Sequence, residues 1–155
     1  MAEAPDLTGY TWSVRGSSAD GRLTRLHAGR NSFSAGAAVS FRPDDPLPSA
    51  IDYLLSALAA DLVSSLGECV RERSVECDAI ECRISGQLDD PLASIGVIGA
   101  QGSPAVRTIT GTVYVSADAG DDVLQEAWYA ALRRSPLYNT LARCVTLTID
   151  LRPEP

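Results

Sequence analysis

Pro48-Ser49-Ala50-Ile51-Asp52-Tyr53-Leu54-Leu55-Ser56-Ala57-Leu58-Ala59-Ala60-Asp61 opens a long helical pattern. Ser49 can accept from a backbone N–H, and Asp52 follows three residues later, as in a capping box. Ile51, Leu54, Leu55, Leu58, Leu62, Ser65, Leu66 and Cys69 form a stripe at spacings of three and four. The other side is also poor in charge. From Ala50 to Gly67 only Asp52 and Asp61 are charged. A helix this apolar is expected to be covered on most sides rather than laid on a surface. Charge returns at Glu68, Arg71, Glu72 and Arg73, where the helix should leave the core.

Strands are expected on both sides of this helix. Upstream, Tyr10, Trp12 and Val14 alternate with Thr11, Ser13 and Arg15. Ser17–Gly21 carries the Asp-Gly signal of a hairpin turn. Further strands are expected over Arg22–Ala28 and Asn31–Phe41, with a bend at Gly36, before a proline loop over Arg42–Pro48. Downstream, Ile80, Cys82, Ile84, Gly86 and Leu88 alternate with polar residues as a half-buried strand. Leu92–Ile98 fits a short helix or an irregular connection. Val106–Ser116 is rich in β-branched residues and reads as a strand. Asp121 and Asp122 open a second helix that Arg133 and Arg134 close, and Pro136 stops it. Val145–Leu151 alternates as a last strand, and Arg152–Pro155 reads as a loose tail. This order is α+β, with no internal repeat.

The chain has 155 residues, 45% hydrophobic and 21% charged, which suits one globular domain. A chain of this length buries roughly 68–70% of its unfolded surface and needs no covalent staple. Twenty acids against thirteen bases leave a net charge of −7. All the bases are arginine. Such acidity argues against a nucleic-acid partner, whose phosphates select clustered positive charge. No stretch approaches about 18 uncharged apolar residues, so no membrane span is expected. Met1–Asp6 has no basic n-region and no apolar h-region, so the expected setting is cytoplasmic, with reduced thiols. The cysteines are Cys69, Cys77, Cys82 and Cys144. Cys82 reads as core, Cys77 as a strand-start residue and Cys144 as part of the outward set of the last strand. With a single histidine, His27, and these spacings, no metal site is expected.

Two segments resemble a known family. Pro48–Asp61 resembles the central-helix signature of the OsmC/Ohr proteins (osmotically inducible protein C and organic hydroperoxide resistance). Arg133-Arg134-Ser135-Pro136-Leu137-Tyr138-Asn139-Thr140-Leu141 resembles their second signature. The order of elements matches from about Gly9 to Leu151, as one OsmC-like domain over residues 1–155. The resemblance implies an OsmC-like α+β fold of antiparallel strands, a long buried central helix and a second amphipathic helix, built as an intertwined homodimer. It implies a peroxidatic cysteine on the central helix, a resolving cysteine at the end of the later helix, and an arginine and an acid that hold the first as a thiolate. No cofactor is implied.

This chain departs from that pattern at both sulfur positions. Asp61 stands at the first and Ser135 at the second. A carboxylate forms no sulfenic acid and a serine hydroxyl is too basic to resolve one, because the chemistry needs a thiolate. The expected protein is therefore non-peroxidatic, with a cleft at the dimer interface for a small apolar or amphipathic ligand. Asp61, Ser135 and an arginine, Arg15 or Arg22, would be its polar contacts. Alternatively Asp61 is a helix-flank aspartate, paired with an arginine or open to a wet cleft. Asp52 matches the family's supporting acid, although the capping box explains it without any catalysis. Arg42 is a further candidate near the helix start. A Ser135–His27–Asp61 triad can be drawn, but no nucleophile elbow supports it. Three other readings remain: hydroperoxide reduction by relocated cysteines, with Cys69 and Cys77 the leading pair, a purely structural or interaction dimer, and acid/base or hydrolytic chemistry by Asp61 and Ser135.

Overall fold

The computed structural model describes residues 8–154, so the leader reading at Met1–Asp6 lies outside them. The chain falls into two compact units, Met1–Ile51 and Asp52–Pro155.

The first unit is a meander of three short antiparallel strands: β1 (Arg15–Ser17), β2 (Thr24–Ala28) and β3 (Asn31–Ala35). Gly29, at φ +58°, turns β2 into β3 with only Arg30 beside it. That is the two-residue hairpin loop with glycine first. Two expectations are corrected here. Strand pairing starts at Arg15, not Tyr10, and β3 ends at Ala35, not Phe41. Tyr10, Trp12 and Val14 alternate in sequence, but they are 61%, 82% and 61% exposed and pair with no strand among the described residues. Alternation without a neighbour makes no ladder. At Gly36 the chain leaves the sheet, and its N–H bonds Pro48 O.

The helix α1 (Ala50–Glu72) begins where expected. The Ala50 and Ile51 amides bond Ala37 O and Ala38 O, so the preceding loop meets two donors that a helix start leaves free. The second unit holds most of α1 and a sheet in the order β4 (Cys77–Leu88), β5 (Val106–Ala117), β6 (Thr146–Glu154). Between β4 and β5 lies the short α2 (Pro91–Ser94), which settles the ambiguous Leu92–Ile98 segment as one turn of helix followed by loop. After β5 come α3 (Asp121–Arg134) and α4 (Pro136–Leu141).

One face of this sheet meets the helices. Ile109, Val113 and Val115 of β5 and Ile149 of β6 pack with Leu58, Leu62, Leu66 and Cys69 of α1 and with Leu124, Ala127 and Trp128 of α3. By length and composition α1 could cross a membrane. Leu58, Leu62, Leu66, Cys69 and Val70 are its buried residues, so this core covers one face of the helix and not most sides of it. Gly111 sits on the same face of β5. A Cβ there would stand 2.5 Å from Arg83 O and about 3 Å from the Ile84 and Ile149 side chains. Gly111→Ala should therefore destabilise the unit by about 2 kcal/mol or more, since the obstacle is backbone. Denaturant unfolding would measure it.

The second sheet departs from the expected pattern in three ways. β4 and β5 are antiparallel, but β6 runs parallel to β5. The tail is not loose: Arg152, Pro153 and Glu154 pair with Tyr114, Val115 and Ser116. Pro153 is tolerated because β6 is an edge strand. Cys144 lies in the turn before β6, not on the strand. Pro136 does end α3, yet it also starts α4 as its first residue, a position where proline's missing N–H costs nothing.

Glu72 and Arg134 join the ends of α1 and α3 at 2.7 Å. The hydrogen bond from Arg134 holds the Glu72 carboxyl below its ordinary value of 4.5. With the folded value depressed, the pair's contribution is complete above the ordinary value and fades as pH falls through the folded one. Both groups are half exposed, so the effect should be small and weakened by salt. Glu72→Gln should remove it from the pH profile of unfolding.

Candidate functional site

Position 61 lies on the flank of α1 that faces α3 and α4. Ser135 lies between α3 and α4, 74 residues later, and the two side chains meet. Ser135 Oγ donates to Asp61 Oδ2 at 2.6 Å. The Leu137 N–H donates to the same oxygen at 2.8 Å. Ser65 Oγ, one helical turn along α1, donates to Oδ1 at 3.2 Å. The carboxylate thus receives three donors, two of them from across the core. Burying a carboxylate is costly unless such partners are supplied.

Ser135 serves two helices at once. Its N–H bonds Ala131 O and closes α3. Its hydroxyl accepts from the Tyr138 N–H at 3.0 Å and opens α4. The side chain of Asn139 then donates to Ser135 O at 2.6 Å and to Leu132 O at 2.8 Å. The Leu137 and Tyr138 amides and the Ala131, Leu132 and Ser135 carbonyls at this corner thus all find partners locally. Ser135 is 0% exposed. Its hydroxyl proton goes to Asp61, so it is neither free for His27 nor open to a solute.

Of the other expected residues, Asp52 is exposed in the first turn of α1, where an acid suits the helix dipole. Arg15 opens β1 and Arg22 precedes β2; both are exposed and belong to the first unit. Ser65 and Leu137 were missed. Ser65 could have been read from its spacing of four from Asp61. Leu137 contributes only its backbone, so its side chain carries no signal.

All four cysteines are free thiols. Cys69 is sealed in the core at 0% exposure. Burial pushes the Cys82 thiol up, away from the nucleophilic form. Cys77 and Cys144 are exposed. Among the described residues no group of three histidine, cysteine or acidic side chains could hold a metal ion.

A family model described as OsmC-like protein matches residues 43–150. Comparison with curated proteins finds no match. Solved structures share the fold. An OsmC-like protein from Mycoplasma pneumoniae superposes with a TM-score of 0.78 at 12% identity, over 95% of this chain and 99% of that one. An OsmC-like protein of unknown function from Vibrio cholerae gives 0.73 at 10%, over 92% and 99%. The organic hydroperoxide resistance protein OhrB of Bacillus subtilis gives 0.58 at 17%, over 92% and 98%. The matched span takes in both Asp61 and Ser135.

Proposed function

The chain belongs to the OsmC-like protein family, and on that premise we propose that it is a homodimer that does not reduce hydroperoxides through thiols. The observation that carries this is the 2.6 Å bond between Ser135 and Asp61. The family resemblance pairs positions 61 and 135 as its two sulfur sites. That these two side chains touch supports the pairing, and neither contains sulfur. Where relatives would make and break a disulfide, this chain has a hydrogen bond. The ligand cleft expected beside Asp61 and Ser135 is, on this reading, filled by the chain's own donors.

The dimer rests on what a single copy leaves uncovered. In the first unit Ala35 is the one buried apolar side chain among the described residues, while Trp12, Phe33 and Phe41 are exposed. A three-stranded sheet with so little core does not stand alone. On α1, Ser56, Ala57 and Ala60 form an exposed strip without charge. A second copy would cover such surfaces by symmetry.

A turnover assay with cumene hydroperoxide and a dithiol reductant tests the chemistry. The wild-type chain is expected to show none beyond slow, stoichiometric oxidation of its exposed thiols. Sustained turnover, lost on Cys77→Ser, would establish the relocated-cysteine alternative instead. Light scattering tests assembly: the expected mass is twice 16.4 kDa, and a stable monomer would refute the dimer.

A further inference from the structure

The meander of the first unit is two-sided. On one face Gly16, Leu26 and Phe33 lie side by side across the three strands, with Ala28 and Ala35 on the same side. On the opposite face Arg15, His27 and Ser32 form one row, and Ser17, Arg25 and Ser34 form the next. Arg15 and Arg25 are diagonal neighbours, about 7 Å apart and within reach of each other's long side chains. Like charges placed this way repel. No acid lies between Gly21 and Pro43, a stretch with four arginines. Asp20, just before it, accepts from the Arg22 backbone N–H at 2.9 Å. Among the described residues no ion pair engages Arg15, Arg22, Arg25 or Arg30. Two guanidiniums and an imidazole thus share one side of a small sheet whose strands carry no counter-charge.

We propose that this face binds the phosphoryl group of a small molecule, held by Arg15 and Arg25 beside His27. Guanidinium forks match the oxygens of such a group in pairs. A phosphoryl group offers three oxygens, enough for two guanidiniums and a neighbouring imidazole or hydroxyl, whereas a carboxylate offers two. Size selects a small ligand over a polymer. Three strands at roughly 4.8 Å spacing make a face about 10 Å across. Five arginines balance five acids before Asp52, so the whole net charge of −7 belongs to the second unit. A long polyanion would be repelled by that charge, while a small one needs only the arginines. The homodimer proposed above calls for cover over the Phe33 face and not over this one. The site also uses neither Asp61 nor Ser135, so it stands apart from the peroxidase question.

Calorimetric titration with pyrophosphate in a low-salt buffer should show saturable binding that weakens as salt is added. His27 is the only histidine of the chain, so its ring protons give a single NMR reporter at the site. They should shift saturably with pyrophosphate at fixed pH. Arg15→Gln/Arg25→Gln should lower the affinity about tenfold. Arg22→Gln/Arg30→Gln removes the same charge from loops beside the strands, and should lower it less than about threefold, the effect of the general field alone. All four arginines are exposed, so both variants should fold, with light scattering showing their assembly unchanged. The proposal is overturned if no saturable binding appears, if the His27 resonances stay in place, or if both variants lose affinity alike. Tighter binding of a single-stranded oligodeoxynucleotide than of pyrophosphate would also overturn it, since the face would then serve a polymer.

Discussion

Asp61→Ala should lower the unfolding free energy by about 3 kcal/mol, the largest loss expected from any single polar side chain in the second unit. The substitution leaves the Ser135 hydroxyl, the Leu137 N–H and the Ser65 hydroxyl without their acceptor. Ser135 is fully buried and cannot turn to water. Hydrogen bonds to a charged acceptor contribute about 1.5–3 kcal/mol each, and a stranded buried donor carries its own desolvation penalty. For a chain of this size that corresponds to a fall of about 10 °C in Tm. Asp61→Asn should cost about half as much, because the amide keeps one oxygen as an acceptor but loses the charge. Both must be measured at one protein concentration, because the midpoint of a homodimer would depend on concentration. A loss below about 1 kcal/mol for Asp61→Ala, within the range of an ordinary surface pair, would show that the tie does not hold the helices together.

The second large effect is a gain. Asp61→Cys/Ser135→Cys should reduce cumene hydroperoxide at a rate on the order of tenfold above the wild-type background, through the thiolate chemistry that the native side chains cannot perform. The thiolate at position 61 would attack the O–O bond and become a sulfenic acid, with the alcohol leaving. The thiol at position 135 would then displace water and close a disulfide. An added dithiol would restore both thiols for the next turnover. The two side chains already meet across the core, so an internal disulfide should form without a large rearrangement. Asp61→Cys alone should be oxidised by hydroperoxide but form no internal bridge. If the double variant folds and its two new thiols do not link on oxidation, the pairing of these positions is wrong. If the wild-type chain matches its turnover, the non-peroxidatic reading is wrong.

Much of the second unit could be read without coordinates. The stripe through Leu58, Leu62, Leu66 and Cys69 marks the core face of α1, and all four are fully buried. The alternation of Ile80, Cys82 and Ile84 marks the inward side of β4. These signals work because hydrophobic periodicity is local and a buried face must repeat with the element's own period. The failures share a cause. The stretch from Tyr10 to Val14 alternates but finds no neighbouring strand among the described residues. The Arg152–Glu154 tail looks loose, with prolines on both sides of Glu154, until β5 provides an edge for it. Strand formation depends on a partner that the segment itself does not encode.

The candidate site divides along the same line. The sequence by itself determined that positions 61 and 135 carry oxygen rather than sulfur. It also determined that position 61 lies on a charge-poor helix and position 135 at a helix end. Those are properties of residue type and local spacing. Only the tertiary structure decided that Asp61 and Ser135 satisfy each other, that Leu137 joins them through its backbone N–H, and that Ser135 is closed to any solute. Packing brings α1 against the α3–α4 corner across 74 residues of chain. A carboxylate on that flank takes whichever donors the packing presents, and no short-range pattern names them.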